Sequence, residues 1–80
     1  MNRQDALRML EVTVGLGPNT LTGKEALRDV FGWDSLSTLA FITVVDKEIG
    51  LPLRGNQVAQ CQTVDDLLGL LGIASSVRAA

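Results

Sequence analysis

The chain has 80 residues, 46% of them hydrophobic, and a formal net charge of −2 from seven basic and nine acidic side chains. This length and hydrophobic content predict one packed domain over residues 1–80, and the lack of a basic stripe argues against nucleic-acid binding. The single cysteine, Cys61, excludes an internal disulfide, and no secretory or membrane-spanning segment is visible, so we expect a cytoplasmic protein that does not enter membranes.

The first predicted helix runs from Arg3 to Val14. Apolar residues recur there at three- and four-residue steps, and polar side chains that include Glu11 occupy the opposite face. Gly15 is expected to end this helix, because glycine adopts the left-handed conformation that is common at helix C-termini.

A long connection follows, from Gly15 to Asp34. Thr22 and Glu25 have the spacing of a capping box, which predicts a short helical piece over residues 24–30. A connection of this length needs apolar anchors on the core, and we expect three of them: Leu21, Leu27 and Phe31.

The longest predicted helix runs from Ser35 to Ile49, with Asp34 as its N-cap and Gly50 at its end. The β-branched and aromatic residues from Phe41 to Val45 would also suit a strand. Helix is favoured, because the stretch does not alternate and because its cap and its glycine are about four turns apart.

The two sides of this helix have different expected roles. The core side carries Thr38, Phe41, Ile42, Val45 and Ile49. The other side carries Leu36, Ala40, Thr43 and Lys47, with Leu39 at its border. It is too apolar for a plain solvent face, so either the domain or a partner must cover it.

Two shorter helices complete the fold. One is predicted around residues 55–61, and the last begins at Thr63 with Asp66 at its third helical position, where an acid suits both a capping box and the helix dipole. Residues 74–80 are expected to fray. We therefore predict an all-α fold, a small four-helix bundle with a long loop after helix 1 and a short third helix.

Few residues in the chain offer catalytic chemistry. It has no histidine and no tyrosine, so a Ser–His or Cys–His pair cannot form within it. Asp65 and Asp66 lack the spacing of a calcium loop and are expected to serve as a capping and dipole pair. We expect neither an enzyme nor a metal site, and we expect Cys61 and Trp33 to pack against the bundle.

Ser35 falls on the first turn of the long helix, beside its cap. The hydroxyl is expected near free backbone amides, where the helix dipole favours a negative group. This position suits a phosphate or a phosphodiester on the serine.

The order of several short motifs resembles an acyl carrier protein. Asp34-Ser35-Leu36 opens the second long helix, as in that family, and the helix exit Ile49-Gly50-Leu51-Pro52-Leu53 and the start Thr63-Val64-Asp65-Asp66-Leu67 are also similar. The resemblance covers nearly the whole chain. The tryptophan before Asp34 is more similar to free-standing, specialised carriers than to the general fatty-acid carrier.

The resemblance implies a function as a substrate and shuttle. Ser35 would be esterified with 4′-phosphopantetheine from coenzyme A by a separate, magnesium-dependent phosphopantetheinyl transferase, with Asp34 and Leu36 as its flanking motif residues. The thiol of the arm would hold acyl groups as thioesters for an acyl-loading enzyme and for ketosynthase or acyltransferase-type enzymes. The carrier would be a monomer in a specialised fatty-acid, polyketide or related pathway.

The chain departs from the family in the charge of its recognition helix, which is usually strongly acidic. The acids here are Asp46 and Glu48, with Lys47 between them. Docking is therefore expected to depend on Leu36, Leu39, Ala40, Thr43 and Lys47, with weak salt dependence and a dedicated set of partners.

Two alternatives remain open. An aminoacyl or peptidyl carrier shares the modified serine, although the segment Gly32-Trp33-Asp34 does not match its usual pattern. An unmodified helical adaptor would instead use the Leu36 side of the helix to bind a partner.

Overall fold

Four α-helices and one 3-10 turn make up the fold in the computed structural model, which describes residues 1–73. They are α1 (Arg3–Val14), the 3-10 turn (Leu27–Asp29), α2 (Ser35–Ile49), α3 (Gly55–Ala59) and α4 (Val64–Leu70). The predicted all-α fold is confirmed for the described residues. The predicted fraying concerns residues 74–80, which lie outside them.

Side-chain caps fix where the helices begin. Asn2 accepts a hydrogen bond from the Asp5 amide at the start of α1, and Thr63 forms a capping box with Asp66 at the start of α4. Both α1 and α2 end at a glycine in the left-handed conformation, Gly15 and Gly50. These signals are local in sequence, and the predicted bounds of α1 and α2 are confirmed.

The core lies where α1, α2 and α4 meet. Its largest fully buried side chains come from these three helices: Leu10, Phe41, Val45, Val64, Leu67 and Leu68. On α2, Thr38 and Ile42 are half-buried beside Phe41 and Val45. Ile49, predicted for the core, is 38% exposed; it is the last residue of the helix. No helix in residues 1–73 has the length and apolar character needed to cross a lipid bilayer.

The predicted helical piece from Lys24 to Val30 is wrong, because only the 3-10 turn forms there. The Glu25 carboxylate accepts hydrogen bonds from the amides of Thr22 and Gly23, but the Thr22 hydroxyl accepts from the Lys24 amide instead of the Glu25 amide. The backbone continues toward α4. The Leu27 amide donates a hydrogen bond to the Gln62 carbonyl at 2.8 Å, and this tertiary bond takes the place of a bond within a helix.

The apolar anchors of the long connection are only partly as predicted. Leu21 and Leu27 are buried, but Phe31 is 81% exposed. Gly32 has a φ of +88°, and its Cα lies against the carbonyl of Val14. Val30 and Trp33, on either side of this turn, face the core, and the ring of Phe31 is left outside.

Glu11, predicted for the polar face of α1, is buried instead, with 2% of its surface exposed. Its carboxylate accepts hydrogen bonds from the backbone amides of Thr20 and Leu21, both at 2.9 Å. A buried carboxylate is tolerated when it receives such bonds. The contact fastens the long connection to α1.

A second polar contact joins three segments at the other end of α1. The Arg3 guanidinium donates to the Thr22 carbonyl at 2.6 Å and pairs with the Asp65 carboxylate at 2.6 Å. Asp65 is thus an ion-pair partner, while Asp66 caps α4 as predicted. No group of potential metal ligands occurs among residues 1–73.

Candidate functional site

Ser35 is the first residue of α2 and is exposed. Its hydroxyl makes no hydrogen bond to any other residue in the described part of the chain. At many helix starts, a serine hydroxyl caps the helix by accepting a hydrogen bond from a backbone amide. Here Asp34 caps the helix, so the Ser35 oxygen is available to an incoming reagent.

The cap beside Ser35 is reciprocal. The Asp34 carboxylate accepts a hydrogen bond from the Ser37 amide at 2.9 Å, and the Ser37 hydroxyl accepts one from the Asp34 amide at 2.8 Å. The Ser37 amide lowers the pKa of Asp34, which is therefore ionised at neutral pH. These bonds hold the first turn of α2 in one geometry and keep Ser37 buried.

The electrostatics at Ser35 contain two opposed contributions. The first bond of the helical ladder runs from the Thr38 amide to the Asp34 carbonyl, so the amides of Ser35 and Leu36 precede the ladder. In addition to the Ser37 amide, the Leu36 amide contributes to lowering the pKa of Asp34. The Ser35 amide and the helix dipole favour an anion on the Ser35 oxygen. The ionised Asp34 carboxylate, which is adjacent in sequence, opposes one.

A groove of about 480 Å³ begins beside this serine and separates α2 from α3. Its size lies within the range of ordinary small-molecule sites. Its lining is mainly apolar: Trp33, Ser35, Thr38, Leu39, Ile42, Gly55, Val58, Ala59 and Cys61. The groove therefore offers a mainly apolar surface next to Ser35.

Two side chains of this groove pack as predicted. Trp33 meets Phe41 edge-on, with ring centroids 6.1 Å apart, and so forms a wall of the groove. Burial, and then the charge of Asp66, raise the pKa of the Cys61 thiol. Cys61 is therefore a neutral thiol at pH 7 and a poor nucleophile.

The predicted outer side of α2 is exposed in the structure. Leu36 is 77% and Leu39 62% exposed, and Ala40, Thr43 and Lys47 also face outward. No charged residue occurs from Ser35 to Val45. The structure thus places five predicted interface residues and Ser35 on one helix and leaves a continuous uncharged surface beside the hydroxyl.

A slightly larger groove, of about 520 Å³, lies between α1 and the C-terminal part of α2. Its lining includes Met9, Val12 and Ile49 but not Ser35. Among residues 1–73, this larger groove has no hydroxyl or thiol in its lining that is as accessible as that of Ser35. The size of the groove alone does not make it the candidate site.

The sequence did not predict two parts of the site. The groove depends on how α3 lies against α2, and Phe31 joins the exposed surface only because Gly32 turns the chain. The positive φ of a glycine cannot be distinguished from an ordinary loop glycine by sequence pattern.

Comparison of the chain with protein-family models, with curated proteins and with solved structures gave no match. Its own residues and their geometry therefore have to carry any functional conclusion.

Proposed function

We propose that this chain is an acyl carrier protein and that the Ser35 hydroxyl is the attachment point of 4′-phosphopantetheine. The observation that carries the proposal is an exposed hydroxyl, without a hydrogen-bond partner among residues 1–73, at the first residue of a helix that is capped by its neighbour. The resemblance of Asp34-Ser35-Leu36 to the acyl carrier motif supplies the identity of the arm.

The residues around Ser35 are compatible with such an arm. The hydroxyl is accessible, the Ser35 amide and the helix dipole favour the negative phosphodiester, and the α2/α3 groove offers apolar contact beyond it. When attached, the arm supplies a terminal thiol that holds acyl groups as thioesters. The chain itself would orient the arm and present it to enzymes.

Attachment requires a second protein. Modification joins the Ser35 oxygen to phosphorus, displaces the nucleotide part of coenzyme A and releases the serine proton. The chain has no histidine to accept that proton. The acyl carrier resemblance implies that a separate, magnesium-dependent transferase supplies the base, and such an enzyme would bind next to Ser35.

The exposed side of α2 is where we expect partner enzymes to dock. Leu36 and Leu39 offer apolar area, and Ala40 and Thr43 are small enough to allow close approach. Acyl-loading, ketosynthase and acyltransferase-type enzymes are the expected partners, in a specialised fatty-acid, polyketide or related pathway.

The same exposed leucines favour a second candidate function, an unmodified adaptor that binds a partner helix through α2. The two functions differ at one atom, the Ser35 oxygen. A carrier needs that oxygen, whereas an adaptor does not.

An intact-mass measurement distinguishes the carrier from the adaptor. The purified protein is incubated with coenzyme A, magnesium and a promiscuous phosphopantetheinyl transferase, next to a known carrier as positive control. We expect the wild type to gain one phosphopantetheine. We expect Ser35→Ala to gain none, while Thr13→Ala, which removes a hydroxyl of α1 away from the proposed docking surface, is loaded like the wild type. An unmodified wild type beside a fully loaded control would favour the adaptor.

A further inference from the structure

Three large apolar side chains near Ser35 face the solvent. Leu36 and Leu39 follow it on α2, and Phe31 precedes it by four residues. Phe31 is the most exposed of the three, and within residues 1–73 it is not among the side chains that pack on the core.

The exposure of Phe31 results from a fixed backbone. Val30 on one side is buried, and its carbonyl accepts a hydrogen bond from the Trp33 amide at 3.1 Å. Gly32 on the other side lies against the Val14 carbonyl. Trp33 then meets Phe41 in the core. Because its neighbours are held in place, Phe31 has little backbone entropy to lose when a partner binds it.

The position of Phe31 places it within reach of any protein that acts on Ser35. Four residues span at most about 14 Å of fully extended chain. A standard interface covers about 800 Å² of each partner, which corresponds to a disc of roughly 16 Å radius. Phe31 therefore lies within the radius of a standard interface centred on Ser35.

The charge pattern indicates what such an enzyme must offer. The helix surface from Ser35 to Val45 carries no charge, so attraction along α2 has to come from apolar contact. Asp34 is ionised and exposed beside the serine. The complementary surface is an apolar pocket next to a cationic side chain. Aromatic residues that fill such pockets are frequent hot spots of binding energy.

We propose that Phe31 is the anchor by which the phosphopantetheinyl transferase binds this chain, with the ring in an apolar pocket of the enzyme and Asp34 facing a cation. This inference rests on the proposed carrier function and adds a specificity-determining residue outside α2. Phe31 acts by positioning Ser35 in the enzyme and takes no part in the transfer itself.

Steady-state loading by the transferase tests the inference. We expect Phe31→Ala to raise KM for the carrier at least about tenfold with little change in kcat, because truncating a hot-spot residue weakens binding while Ser35 remains intact. The matched control is Val12→Ala, which removes an apolar side chain that is 74% exposed on α1. It should load with the KM of the wild type.

A binding measurement that needs no turnover gives a second readout. Ser35→Ala cannot be modified, so it should inhibit loading of the wild type by competition. The double variant Phe31→Ala, Ser35→Ala should inhibit at least about tenfold more weakly. Equal inhibition by the two, or a wild-type KM for Phe31→Ala, would overturn the anchor while the carrier function stands. A wild type that is never loaded would overturn the carrier function and, with it, the anchor.

Discussion

The Cα of Gly32 lies against the carbonyl oxygen of Val14, the last residue of α1, and a β-carbon at this position would overlap that oxygen. Gly32 also has a φ of +88°. One glycine thus joins the end of α1 to the turn that carries Phe31 and leads into Ser35.

Gly32→Ala should therefore destabilise the fold. The substitution places an L-residue at positive φ and forces the Val14 backbone to move, which together should cost about 2 kcal/mol or more. Urea unfolding followed by circular dichroism measures this loss. Gly17→Ala is the control, since Gly17 has open space and no positive φ, and it should change the free energy of unfolding by no more than about 0.5 kcal/mol. Equal stability of the two variants would contradict the contact.

The cap of α4 predicts a dependence of stability on pH. The amides of Gln62 and then Thr63 donate to the Asp66 carboxylate and lower its pKa. A carboxylate whose pKa is lower in the folded state stabilises the fold above its unfolded pKa, near pH 4, and loses this effect as pH falls through the folded value. Urea unfolding at several pH values should show a flat contribution from pH 5 to 7 and a decline below about pH 4. Asp66→Asn cannot titrate and should decline less steeply.

Docking on α2 should depend on apolar contact more than on charge. Leu39→Asp places a charge in the proposed interface and should raise the transferase KM more than about tenfold, whereas Asp46→Asn should change it less than about twofold. Leu36→Asp should behave as Leu39→Asp does. The wild-type KM should also vary little between low and high salt. A loss at Asp46 comparable to that at Leu39 would show that electrostatics dominate.

The α2/α3 groove predicts a chemical footprint. Cys61 and Ser35 line the same groove, so an acyl arm that lies in it should cover the thiol. Alkylation of Cys61, followed by mass spectrometry at pH 8, should be slower in the acyl-loaded protein than in the unmodified one. Both forms should react equally in denaturant, which controls for intrinsic reactivity. Equal rates in the native proteins would mean that the arm lies elsewhere.

The bounds of α1 and α2 were predictable because their caps and terminal glycines are adjacent in sequence. The long connection was not, since its structure depends on distant partners. The helical period places Glu11 on the polar face of α1, yet Glu11 is buried and binds backbone amides nine and ten residues away. The sequence pattern predicts Phe31 as a core anchor, yet Gly32 turns it outward.

For the candidate site, the sequence indicated Ser35, its cap Asp34 and the exposed side of α2, because all three follow from one helix and its period. The groove required the packing of α3, which no local pattern specifies. Cys61 and Val58 belong to the site only through that packing.

The uncharged stretch of α2 also affects the rate at which the chain associates with its partners. Proteins that meet without long-range attraction associate at about 10⁵–10⁶ M⁻¹s⁻¹, against up to about 10⁹ M⁻¹s⁻¹ for oppositely charged pairs. If the carrier works as proposed, the local concentrations of carrier and enzyme set how often the two meet. Co-assembly or co-expression of the enzymes, rather than ionic conditions, would then determine the flux through its pathway.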